Sequence, residues 1–193
     1  MTLVAMRGVV GAVAAAILLA ALGCGGSGGA ADAAAACSEA CADAIAVRAL
    51  RDAIKLVYNV TLQGKPTGAQ DQSTPCPLGG SASVQGQATS NADQGVTSVT
   101  LTYVFAQCAF SQTDTDPNQT FVMTLTGTVT ESGTIAVQPS STTSLQFQSD
   151  AMTFSGTVYS PPIDVAETCA VVLGQSGNDL SGTLCGRSAG GTL

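Results

Sequence analysis

Cys37 and Cys41 stand four residues apart, a spacing at which two thiolates could carry redox or copper chemistry. A copper site of this kind draws on further ligands such as histidine, and the chain has no histidine at all. The same absence removes a c-type haem motif, a Cys/His catalytic pair and a Ser-His-Asp triad. Zinc held by four thiolates needs CxxC-like knuckles, which are missing. The CSEAC segment therefore reads as a structural disulfide, with no metal and no cofactor expected. Asp114, Thr115, Asp116, Pro117 and Asn118 look like the start of a calcium loop. Such a loop needs glycine at its sixth position and a bidentate acid at its twelfth, where this chain has Gln119 and Leu125. A hairpin loop is the simpler reading, since Asp, Pro and Asn favour turns.

The glutamates are Glu39, Glu131 and Glu167, the first on an expected helix and the others read as lying near turns. No pair of acids has a spacing that suggests acid/base catalysis, and the usual proton-transfer residue is missing. The chain is accordingly expected not to be an enzyme, with a histidine-free enzyme as the least favoured reading. Asn59 and Asn118 begin glycosylation-like triplets, matches short enough to arise by chance.

The first 24 residues carry a different signal. Arg7 supplies a positive charge, an apolar run follows from Val9 to Leu22, and Gly23 leads into Cys24. The run is shorter than the ~20 residues of a membrane span. This pattern resembles the lipobox of bacterial lipoprotein signal peptides. The resemblance implies cleavage after Gly23, lipidation of Cys24 and attachment to the membrane through acyl chains. Ala21 and Leu22 depart from the family's preference for Leu followed by a small residue. Ala21 and Gly23 also fit ordinary secretory cleavage, and an uncleaved anchor is a third reading. Gly25 after the lipidated cysteine implies, by the same resemblance, the outer membrane, with a periplasmic or secreted protein as the alternative.

Composition agrees with export. Of seven cysteines, setting Cys24 aside leaves an even set: Cys37, Cys41, Cys76, Cys108, Cys169 and Cys185. The net charge of −7, and only six basic residues, cannot supply the cationic surface that nucleic acid needs. The same acidity opposes docking to anionic lipid, so membrane attachment would rest on acyl chains. After a signal peptide of residues 1–23, residues 24–36 read as a lipidated cysteine and flexible tether, and 37–193 as a single domain.

A fold must position these residues. From Ser38 to about Asn59 the period is helical, with Val47, Leu50, Ile54, Val57 and Tyr58 on one stripe, Ser38 as N-cap and Glu39 and Asp43 in the first turns. Downstream the period becomes two. Val99, Leu101, Tyr103 and Phe105 alternate with polar neighbours, as do Phe121, Met123, Leu125 and Val129. Further strands are expected at residues 81–90, Thr134–Val137, Ser144–Gln148, Ala151–Tyr159, Cys169–Leu173 and Leu180–Cys185. The expected fold is mainly β with one N-terminal helix: a disulfide-stapled antiparallel meander with the helix packed on one face.

Hairpin arithmetic suggests pairings. A turn around Ala92 and Asp93 makes positions summing to about 185 face each other, bringing Cys76 near Cys108. A turn centred on Gly177 sets Cys169 opposite Cys185. Cys37 and Cys41 remain by elimination, either bridged, with the helix starting near Cys41, or each tied to a separate loop. Functionally, the leading expectation is a non-catalytic structural or interaction protein of the cell envelope. The alternative is a carrier of an apolar ligand held between sheet and helix, with Phe105, Phe121, Met123, Phe147 and Phe154 as candidate lining.

Overall fold

The computed structural model describes residues 37–63, 67–91, 93, 95–113, 120–136, 142–159 and 162–192. The expected signal and tether (1–36, with Cys24) and the segment Asp114–Asn118 lie outside the described residues.

Helix α1 runs Glu39–Thr61, and the Ser38 hydroxyl caps it by accepting from the Cys41 N–H at 3.3 Å. Cys37 and Cys41 are bridged, with Cα atoms 5.3 Å apart. The helix begins at Glu39, earlier than the Cys41 start that a bridge was expected to require. The physical reason is that only Cys41 is helical. Ser38 is extended (φ −72°, ψ 171°), so Cys37 precedes the helix and escapes its fixed four-residue spacing. Val47, Leu50, Ile54 and Val57 are buried, as their stripe implies, and Tyr58 is half-buried.

Among the described residues eight strands follow: β1 Gly68–Pro75, β2 Ser81–Asn91, β3 Val96–Gln112, β4 Phe121–Ala136, β5 Ser144–Val158, β6 Ile163–Ser176, β7 Asp179–Leu184 and β8 Arg187–Thr192. Each pairs antiparallel with its chain neighbours, giving a meander in the order β1 to β8. The helix packs on one face and touches both edge strands, β1 and β8, as well as β2, β4 and β5. Between them lies one apolar core, in which Leu101, Phe105, Phe121, Met123, Leu125 and Phe154 are almost wholly buried. Opposite this core, the outer face carries threonine and glutamine, with Thr153 and Thr168 hydroxyls 2.8 Å apart across β5 and β6.

Several expected strand boundaries change, β6 for one reaching from Ile163 to Ser176 rather than Cys169 to Leu173. Thr134 begins no new strand, because β4 continues through it to Ala136. The expected strands 144–148 and 151–159 are one, β5. The apparent break is a bulge: β5 carries one extra residue between Ser149 and Met152, against both β4 and β6. Its buried positions consequently switch from odd (Leu145, Phe147, Ser149) to even (Met152, Phe154, Val158), and a strict period of two reads that switch as a gap. β3 behaves alike at Ala106 and Gln107, where burial passes from Phe105 to Cys108 and Gln107 adopts φ 52°. The edge strands β1 and β8 carry too few apolar residues to have been foreseen.

The three expected cysteine pairs are all disulfides, although two registers differ from those anticipated. Ser81 faces Ala106, two residues beyond the anticipated partner, a shift that preserves the pleat phase. Cys76 reaches Cys108 from the turn that precedes β2, not from a ladder position. Across β6 and β7 the register is off by one, because Ser176 faces Asp179. Cys169 and Cys185 are therefore not direct ladder partners. Cys185 lies past the end of β7, at φ 53° beside Gly186 at φ 76°, the pair of positive values that a type I′ turn demands. That turn frees its side chain from strand alternation, so a one-residue slip does not separate the two sulfurs.

Candidate functional site

Glu131 occupies a position where the sheet would normally place an aliphatic residue. On β4 it is in phase with Phe121, Met123, Leu125 and, nearest, Val129, all facing the core. Its ladder partners are Leu101 on β3 and Phe147 on β5, both buried. Only 3% of its surface is exposed. The expectation that Glu131 lies near a turn is thus corrected: it sits within a strand, on the inner face. The signal was legible, since a glutamate two residues after Val129 continues the apolar phase of that strand.

Beside Glu131 the helix and sheet do not close. A cavity of about 220 Å³, partly open to solvent, lies between α1 and the inner face. From the helix, Val47, Leu50, Ile54 and Tyr58 form one wall, and Leu145, Phe147, Leu173 and Leu180 form the other. Glu131 and Tyr103 add carboxyl and phenol groups to an otherwise apolar lining, while Arg51, Lys55 and Asn59 also border it. An apolar cavity of ~150 Å³ suffices to hold benzene, whereas drug-sized ligands take ~300 Å³ or more. The volume therefore suits a single ring or a short chain.

Two of the polar atoms in its lining are unsatisfied, whereas Arg51, Thr143 and Gln175 are hydrogen-bonded. Among the described residues, neither Glu131 Oε2 nor the Tyr103 hydroxyl has a hydrogen-bond partner. Burial raises the Glu131 carboxyl to about 7, because the anion loses its hydration; the nearby Tyr103 hydroxyl opposes that rise, although no hydrogen bond of acceptable length and angle joins the two. Tyr103 is raised by its own burial and then by the charge of Glu131, and Tyr58 is raised for the same two reasons in the same order. A buried acceptor and donor left unpaired cost free energy that a bound polar group would recover.

Of the five residues expected to line a ligand cavity, Phe147 alone lines this one, while Phe154 borders a separate pocket beside the start of the helix. Phe105, Phe121, Met123 and Phe154 are packed at 0–1% exposure in the core. Glu131, Tyr58 and Tyr103 were not among the expected lining residues, because a count of apolar side chains passes over polar ones.

A second polar cluster ties the ends of the fold together. Arg187, at the start of β8, reaches Asp43 on α1 through two hydrogen bonds of 2.7 and 2.8 Å, and Glu167 on β6 through one of 2.7 Å. Glu39 approaches its guanidinium at 3.1 Å. The hydrogen bond to Asp43, then that to Glu167, holds the arginine charged and raises its pKa. Glu167 therefore lies within a strand and in an ion cluster, not near a turn. Of the two acids expected to serve the helix dipole, Glu39 lies in the first turn, whereas Asp43 lies beyond it; both clamp the helix to the last strand. Glu167, Cys169 and Cys185 bring potential ligand atoms within 4.8 Å of one another, but the two sulfurs are bonded to each other and are not thiolate ligands.

No known family, curated protein or solved structure matches this chain.

Proposed function

We propose that this chain is an exported, non-catalytic protein of the cell envelope, held to the outer membrane through a lipid on Cys24, whose folded domain captures a small, mostly apolar molecule between helix and sheet. The cavity carries the second half of this reading. It combines apolar walls with a carboxyl oxygen and a phenol that have no partner among the described residues. A helix–sheet interface serving stability alone would be filled, as protein interiors are close-packed. The first half rests on residues 1–24, and three disulfides accord with an oxidising compartment. The absence of histidine supports a binding role over a catalytic one.

Crystals soaked in benzyl alcohol test the binding role. The expected result is ring density beside Leu50, Ile54 and Leu173, with the hydroxyl toward Glu131. Density only on the outer surface, or none at high occupancy of solvent channels, contradicts it.

A further inference from the structure

We propose that the cavity selects a small apolar amine, its ammonium group donating to the Glu131 carboxylate while its hydrocarbon body lies against Leu50, Ile54 and Leu173. This inference rests on the binding role proposed above and adds the chemical class of the ligand.

Glu131 is walled by Leu101 and Phe147 along the ladder, and among the described residues no ion pair joins a lysine or arginine to it. Arg51, on the cavity wall, is already engaged by Asp52 at 2.6 and 2.8 Å. Lys55 is exposed, and Arg187 is held by acids at the other end of the helix. A buried carboxylate without a counter-ion is the group most in need of an external cation. An ammonium supplies both the opposite charge and N–H donors in one small head. An acidic ligand would set two carboxyl groups side by side, and a neutral alcohol would leave the charge uncompensated. The size of the cavity restricts the amine to one ring or a short chain.

Acidity should govern the binding. The groups facing Glu131 are Tyr103 from β3 and, from α1, Tyr58 with Arg51 and Lys55 at the cavity wall; the strands β5, β6 and β7 contribute no titratable side chain to the lining. Both tyrosines are raised and stay neutral across ordinary pH. Glu131, raised to about 7, is therefore the group that changes charge there. A simple alkyl amine stays protonated throughout, so binding should strengthen as pH rises through 7.

Isothermal titration of the intact protein with benzylamine, benzyl alcohol and benzoate, at pH 5.5 and pH 8, provides the test, repeated on Glu131→Gln. Benzylamine is expected to bind about tenfold or more tightly than benzyl alcohol at pH 8. Its advantage should vanish at pH 5.5 and in Glu131→Gln, with benzyl alcohol changing far less than benzylamine in either comparison. Equal binding of amine and alcohol at pH 8, indifferent to pH, would overturn the amine inference while leaving the binding role intact. No binding by any of the three at millimolar concentration would overturn both. The pH comparison needs no substitution, so the outcome does not depend on whether the variant folds.

Discussion

Glu131 links the folding and the proposed function at the scale of a single residue. Its carboxyl titrates near 4.5 when the chain is unfolded and at about 7 when folded. The folded state therefore holds the proton more tightly, and its stability is fully present below about pH 4.5 and is lost as pH rises through 7. A shift of this size corresponds to about 3 kcal/mol. Urea unfolding at pH 5 and pH 8 should show wild type losing roughly that amount relative to Glu131→Gln, whose amide cannot titrate. Parallel pH profiles for the two proteins would show that Glu131 is not desolvated. This residue was visible in the sequence, yet only as one of three glutamates. Recognising it required the phase of β4, where Val129 and Glu131 share a face, and the depth of the sheet beneath α1, which no single-strand pattern contains.

Among the elements, the disulfides differ in what they constrain. They close separations of 32, 16 and 4 residues for Cys76–Cys108, Cys169–Cys185 and Cys37–Cys41. Loop-closure entropy then gives contributions of about 4, 3 and 2 kcal/mol in that order. Replacing each pair by alanines and measuring unfolding midpoints should reproduce this ranking, whereas the largest loss from the Cys37–Cys41 pair would contradict it. Much of the element structure was legible: α1 with its cap, the inner residues of β2 to β7, the meander and the helix on one face all follow from periodicity. What escaped was set by tertiary context. The bulges of β3 and β5 break the alternation inside continuous strands, and β1 and β8 are edges whose backbone bonds, rather than apolar side chains, place them. Gly133 shows the same dependence on context, since a Cβ there would lie 2.2 Å from the Ser144 carbonyl oxygen on the neighbouring strand.

At the scale of the whole molecule, the proposed anchor and the proposed cavity are separable claims. Labelled fatty acid fed to cells expressing wild type and Cys24→Ala is expected to mark only wild type, which should fractionate with the outer membrane. Equal labelling of both, or of neither, would remove the lipid anchor and leave the domain's binding role untouched. A net charge of −7 opposes electrostatic attachment to anionic lipid, so membrane attachment would rest on the proposed acyl chains. The capture of a small molecule between helix and sheet is tested most directly by filling the space. Methyl NMR of wild type and Leu173→Phe, each titrated with benzylamine at pH 8, compares an open with an occupied cavity. Saturable shifts confined to residues such as Leu50, Ile54 and Leu145 are expected in wild type and should be lost in Leu173→Phe, with the fold retained. Identical shifts in both proteins, or none in wild type, would contradict the account.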